Sequence, residues 1–263
     1  RMYGNNFTVA PISVLLDPVR ASRVLGLEPG GSFTDKVLYI YRKQIEEADL
    51  LVISKADLLD AARLDRLQEA LAKEYPGKEI IAASSRTGAN LDKWFARITD
   101  HEQTAQSAMQ VDYGVYADGE ALLGWLNCTI MVSAEPAVDS EKLLTQLASE
   151  VATRLRSQKA EVAHLKMTFS PDANLAGEIA AISLVRNDYV PELSLRLEAP
   201  VSSGQLILNL RAEAAPDVLG NAVREGLVAT AARFPGLRAT VDHLEHFRPG
   251  KPTPTHRILN LAS

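Results

Sequence analysis

The run Leu50-Leu51-Val52-Ile53-Ser54-Lys55-Ala56-Asp57 constrains the first hundred residues more than any other stretch of the chain. Four consecutive apolar residues end in a short polar turn and lead into a helical pattern, which predicts a fully buried parallel strand. Polar side chains at its C-terminal end then sit where open α/β sheets bind ligands. An Asp carboxylate has two acceptor oxygens and can take a ring N–H together with the exocyclic amino group beside it, an edge that guanine presents and adenine does not. Asp57 is therefore placed to choose a base. The apolar stem of Lys55 is long enough to lie across a purine face while its ammonium stays in water. The competing reading is a strand that ends in a solvated turn.

A second buried strand, Glu79-Ile80-Ile81-Ala82-Ala83, ends in Ser84-Ser85-Arg86-Thr87-Gly88-Ala89-Asn90 and precedes a helix from Leu91 to Ile98. This pair of strand ends, one helix apart, resembles the base-recognition half of a P-loop GTPase. Ser54-Lys55-Ala56-Asp57 resembles the Asn/Thr/Ser-Lys-x-Asp motif. Ser84-Ser85-Arg86 resembles the Ser-Ala-Lys loop, whose backbone N–H meets the guanine carbonyl. Ser54 stands where Asn is commoner.

With 263 residues the chain has room for one large or two ordinary domains. Its 46% hydrophobic and 23% charged residues are those of a soluble globular protein. The net charge of −5 argues against a nucleic-acid surface spread over the molecule, so no nucleic-acid partner is expected. No apolar run approaches the roughly 20 residues of a membrane span, and no membrane association is expected. The single cysteine, Cys128, has no internal disulfide partner. A cytoplasmic location is the expectation. Arg1-Met2-Tyr3-Gly4 is not a signal peptide, and the chain reads as the C-terminal part of something longer.

In chain order, Phe7 to Asp17 reads as a strand of the same sheet, with Pro11 confining its first part to an edge or bulge. Asp17-Pro18 opens a short helix. The loop from Gly26 to Gly31 has glycines but no Gly-Lys-Ser/Thr, so it is not a phosphate-binding P-loop. From Thr34, Val37, Ile40, Tyr41, Ile45 and Ala48 recur at three- and four-residue steps on one face of an amphipathic helix. After Asp57, Asp60 is the expected N-cap of a helix striped by Leu64, Leu67 and Leu71, and Pro76-Gly77 stops it. Asn90 is expected to cap the next helix, with Leu91, Trp94, Phe95 and Ile98 turned inward. Alternating strands and helices imply a parallel sheet with right-handed crossovers.

Residues 101–120 lose this periodicity and read as a linker. Asp112, Asp118 and Glu120 lie close together there and could ligate Mg²⁺, though without an EF-hand spacing a solvated acidic loop is the better reading. Beyond them the order becomes strand, helix, four strands, helix, strand. The alternation of Leu193, Leu195 and Leu197, and of Leu206, Leu208 and Leu210, marks antiparallel strands wet on one side. This order suggests a ferredoxin-like α+β domain with an added hairpin. The expected domains are 1–100, a linker 101–120, an α+β domain 121–246, and an extended proline-rich tail 247–263.

Of the five histidines, His243 and His246 stand three positions apart. They would share a metal ion, Zn²⁺ or another transition metal, only if the segment turned helical; in an extended strand they would point to opposite faces. His164 and Lys166 are placed on the wet face of their strand. No Gly-x-Ser-x-Gly, His-Glu-x-x-His or Cys-x-x-Cys occurs, so hydrolase and zinc-ribbon readings have no residues to rest on.

The layout as a whole resembles the CobW/HypB/UreG group of P-loop GTPases, specifically CobW-like members with a small α+β domain after the G domain. The residues that carry it are Gln44 to Asp57, Ser84 to Gly88, Tyr116-Ala117, and Gly124-Trp125-Leu126-Asn127. The resemblance implies the C-terminal part of a GTPase parallel sheet with helices on both faces, GTP or GDP held by Ser54, Lys55, Asp57, Ser84, Ser85 and Arg86, and nucleotide-gated delivery of a metal ion or cofactor to a client metalloprotein. The family's phosphate-binding loop, its Mg²⁺-holding Ser/Thr and the Cys-x-Cys-Cys motif of many CobW-like members have no counterpart here and are expected upstream of Arg1. The intact protein is thus expected to be a GTPase and this stretch alone inactive, since phosphate and Mg²⁺ contacts dominate nucleotide affinity and phosphoryl transfer. The alternative is a non-catalytic protein-interaction module built on a degenerate G-like domain. The sequence does not indicate an oligomeric state.

Overall fold

A computed structural model of the chain describes residues 10–30, 33–100, 119, 121–173, 177–188 and 191–250. The acidic residues Asp112, Asp118 and Glu120, the junction residues Tyr116-Ala117 and most of the expected tail, residues 251–263, lie outside the described residues. The chain divides into two compact units, the second spanning Ala117–Lys251. They contain a parallel three-stranded sheet and a separate antiparallel six-stranded sheet respectively.

In the first unit, strands β1 (Ser13–Leu16), β2 (Leu50–Ile53) and β3 (Glu79–Ala82) lie side by side in that order, all parallel. Helices α1 (Pro18–Val24) and α2 (Asp35–Glu47) join β1 to β2, α3 (Ala61–Glu74) joins β2 to β3, and α4 (Leu91–Thr99) follows β3. All four residues of β2 are buried, as expected of a central parallel strand covered on both faces. Leu51 and Ile53 share one core with Leu16, Ile45, Leu67 and Leu71. Two of the helices begin on side chains the sequence marks for the purpose. Asp17 accepts from the backbone N–H of Val19 and Arg20, with Pro18 at the first helical position of α1. Asp60 caps α3, accepting from Arg63 N at 2.9 Å.

Three features of this unit differ from expectation. Of the expected strand, Phe7–Val9 lie outside the described residues and β1 is Ser13–Leu16: Pro11 has no N–H to give a ladder, and the chain entering β1 is tied by Ile12, whose N–H donates to Asp49 Oδ2 at 2.8 Å. Asn90 precedes α4 in the left-handed conformation (φ 56°) and makes no side-chain cap; its Nδ2 donates to Ala82 O at 2.8 Å. Helix α4 has no fully buried residue, and Phe95 remains 48% exposed. Leu91, Trp94 and Ile98 are half-buried, and Trp94 Nε1 reaches Ser13 Oγ at 3.0 Å.

The second unit runs β4 (Leu123–Val138), α5 (Ser140–Ser157), β5 (Val162–Pro171), β6 (Ala180–Leu184), β7 (Glu192–Leu195), β8 (Val201–Glu213), α6 (Pro216–Ala231) and β9 (Leu237–Phe247). Asp139 caps α5 through the N–H groups of Glu141 and Lys142. The strand order is β7-β6-β5-β8-β4-β9, with every pairing antiparallel. Both β-α-β connections therefore skip one strand, and the β6–β7 hairpin extends the sheet at one edge. Alternation sorts the faces: Leu126, Cys128, Ile130, Leu206, Leu208 and Leu210 enter one core with Leu144, Leu147, Val151 and Val223 of the helices. The other face carries Asn127, Met131, Ile207 and Asn209, which are exposed. His164 and Lys166 lie on that second face, opposite Arg211 and Asn209 of β8. Strand β9 extends to Phe247, one residue into the segment expected as tail.

Candidate functional site

The C-terminal ends of the three parallel strands converge on one set of polar groups. Directly after β2, Ser54 is fastened to the end of β1, its N–H and its Oγ both donating to Leu16 O at 2.9 Å. Lys55 then takes a left-handed conformation (φ 51°) that turns the chain sharply into a single 3-10 turn, Ala56–Leu58. A non-glycine residue there is uncommon and lysine carries no local compensation of the Asn kind, so the turn is held by what surrounds it. One such tie is Ala56 N to Ala83 O at 3.1 Å, which joins the turn to the end of β3.

The two sequence motifs meet in the side chains as well. Ser84, 1% exposed, donates its hydroxyl to Asp57 Oδ1 at 2.5 Å, and the same Oγ accepts from Thr87 N at 3.2 Å. Arg86 approaches Asp57 Oδ2 from the other side, Nη1 at 3.5 Å. Asp57 is thus gripped at both oxygens while its side chain keeps 19% exposure. Each carboxylate oxygen still has a second acceptor position for an external donor. Ser85 is exposed beside them. Of the six residues expected to form the site, Asp57, Ser84 and Arg86 are in direct contact, Lys55 and Ser85 flank them along the chain, and Ser54 braces the turn from behind rather than linking the two loops.

Sequence reasoning misses two participants. Asp17, read as the opening of a helix, also places Oδ2 3.7 Å from Lys55 Nζ, so the end of β1 positions the lysine. Asn90 anchors the far end of the Ser84–Asn90 loop to β3. The available signal for Asp17 is a polar residue directly after a strand that lies beside the motif strand.

His243 and His246 are not brought together. Both lie in the extended strand β9, where His243 pairs with Thr129 and His246 with Leu126, residues on opposite faces of β4. His246 instead sits 3.6 Å from Asp217 Oδ1. Among the described residues no group of three or more His, Cys, Asp or Glu could hold a metal ion, and no helix is long and apolar enough to cross a membrane.

No protein-family model and no curated protein matches the chain. Among solved structures it is similar to Zn(II)-bound YjiA GTPase from E. coli, with 12% identity, TM-score 0.25, and coverage of 86% of this chain and 63% of that one. It is similar also to a Zn(II)-bound triple mutant of YjiA GTPase, with 11% identity, TM-score 0.26, and coverage of 88% and 64%. The chain spans slightly less than two thirds of the length of those structures.

Proposed function

We propose that the parallel unit is the base-recognition half of a guanine-nucleotide-binding domain of the CobW-like P-loop GTPase kind, and that the antiparallel unit is the ferredoxin-like domain that follows it. The observation that carries the reading is the Ser84–Asp57 contact, which holds a carboxylate at the ends of two adjacent parallel strands while leaving it partly exposed. Guanine N1–H and the N2 amino group would bond to the two oxygens of Asp57. The stem of Lys55, steered by Asp17, would cover one face of the base, and the exposed backbone at Ser85-Arg86 would supply the N–H for the carbonyl. Arg86 leaves Oδ2 or shares it as the base arrives.

These residues recognise a base and do not perform phosphoryl transfer. The chemistry of hydrolysis would come from a phosphate-binding loop and Mg²⁺ that no motif of this stretch supplies. In the intact protein we place the activity as GTP-dependent delivery of a metal ion or cofactor to a client metalloprotein. A second reading, a non-catalytic interaction module, is favoured by one observation: both oxygens of Asp57 already have partners within the chain.

Titration of GDP and of ADP, with and without Mg²⁺, into this chain and into one extended upstream separates the two. A preference for GDP that Asp57→Ala abolishes supports the nucleotide reading. Equal binding of the two nucleotides, or none in either chain, supports the module.

A further inference from the structure

Among the described residues strand β9 is an edge of the six-stranded sheet, and it is long, with eleven residues from Leu237 to Phe247. Its outer side offers a row of backbone groups to a further strand. Helix α6 lies over the helix-facing side of this edge, and between the two runs a groove of about 360 Å³ lined by Arg224, Leu227, Val228, Ala231, Ala239 and Val241. Val228 is 73% exposed, a large apolar side chain on the outward shoulder of the groove. An added strand would hydrogen-bond to β9 and lay alternate side chains into that groove.

The residues of β9 itself point to the occupant. Its pairing with β4 shifts register between Thr129 and Ile130, so that Asp242 is an extra residue, a β-bulge. The bulge changes the phase of the strand: Leu237, Ala239 and Val241 before it, and Leu244 and His246 after it, all face the helices, whereas Arg238, Thr240, His243 and Glu245 face the open side. In an unbulged strand residues an odd number apart lie on opposite faces, and a strand pairing with its own copy about an axis between two residues would set buried positions against exposed ones. Here the same axis, passing between Val241 and Asp242, matches the faces. It sets Ala239 against Leu244 of the second copy on the helix side, and Arg238 against Glu245 of the second copy on the open side, twice by symmetry. Charges and a bulge normally protect an edge from strand addition. In this one register Arg238 and Glu245 are complementary, and the two bulges, each carrying Asp242, coincide at the axis.

We propose that the chain forms a two-fold dimer through β9, joining the two antiparallel sheets into one, with the α6 helices of both copies closing over the axis and covering Val228. The proposal uses residues of the second unit alone and does not depend on the nucleotide reading.

Sedimentation equilibrium of the 263-residue chain over a wide concentration range tests it. The expected result is a reversible dimer that Arg238→Glu and Glu245→Arg each weaken about tenfold or more, and that the double reversal restores, because opposite charges then meet again. Val228→Lys, at a position already exposed and therefore harmless to folding, is expected to weaken the dimer as well. A chain that stays monomeric at every concentration, or a dimer indifferent to both single reversals, overturns the proposal.

Discussion

Ser84 and Asp57, 27 positions apart, meet through a 2.5 Å hydrogen bond from the serine hydroxyl to Asp57 Oδ1, and this contact ties together the ends of two strands. A carboxylate held in this way has lost its rotamer freedom before any ligand arrives, which lowers the entropy cost of binding. Removing the hydroxyl should act on both stability and recognition. Ser84→Ala is expected to cost about 1 kcal/mol in a denaturant melt and to weaken guanine-nucleotide binding roughly tenfold, with the base preference retained.

Asp57 itself is expected to set that preference. Asp57→Ala removes two hydrogen bonds to a charged acceptor, each worth about 1.5–3 kcal/mol, and should lower GDP affinity by about a hundredfold or more. Asp57→Asn is more diagnostic. Its amide offers one acceptor and one donor, which suits xanthine, whose C2 oxygen accepts where guanine donates. Competition between GDP and xanthosine diphosphate should therefore invert in Asp57→Asn. An Asn variant that still prefers GDP would remove Asp57 from base recognition.

The strands and helices of both units were largely legible, because periodicity reports burial and burial here follows regular elements. Leu50 to Ile53 is a run apolar enough to need cover on both faces, and β2 has it. Leu206, Leu208 and Leu210 alternate, and their strand has one core face and one open face. What the pattern does not carry is long-range pairing. Nothing local to Asp17 announces Lys55, since the two are neighbours only through the β1–β2 register. Asn90 has the residue type of an N-cap, yet tertiary context turns its side chain back to Ala82 O. The phase change at Asp242 is likewise invisible without the partner strand that leaves it unpaired.

Gly204 shows how tightly the antiparallel core is closed. A Cβ built there would lie 2.5 Å from both Phe169 Cζ and Ser170 O on the adjacent strand β5, and Phe169 is fully buried and cannot swing away. Gly204→Ala should therefore destabilise this unit by about 1–3 kcal/mol through overpacking. Gly177→Ala, at a position where no described residue lies within 4 Å of the added Cβ but φ is a positive 73°, is expected to cost about 1 kcal/mol by backbone strain alone. Denaturant midpoints of the two variants, measured with the m-value unchanged, compare the effects directly.

Burial pushes the Cys128 thiol up to about 11, so the folded chain holds it neutral, inside the core beneath the helices. The thiolate is the reactive form. Alkylation by iodoacetamide near pH 8 should then be slow in the native chain and rapid once it is unfolded, and the native rate should follow global or subglobal opening rather than pH alone. Fast labelling of native protein with the fold intact would show that β4 opens locally around Cys128.

The acid side of the stability profile should be set in part by Glu150. Its carboxylate accepts from Arg154 Nη1 at 2.6 Å and from Gln146 Nε2 at 2.8 Å, and Arg233 lies 3.4 Å away; these groups, Arg154 first, hold it below the ordinary carboxylate value. The folded state therefore binds this proton less readily than the unfolded chain does. The stabilisation is complete above the unfolded value near 4.5 and is lost as pH falls through the lower folded one. Partly screened pairs of this type contribute on the order of 1 kcal/mol. Arg154→Met should flatten the pH dependence of unfolding below pH about 5, with little change at pH 7 beyond that same contribution. An unaltered acid limb in Arg154→Met would mean that other carboxylates govern the acid transition.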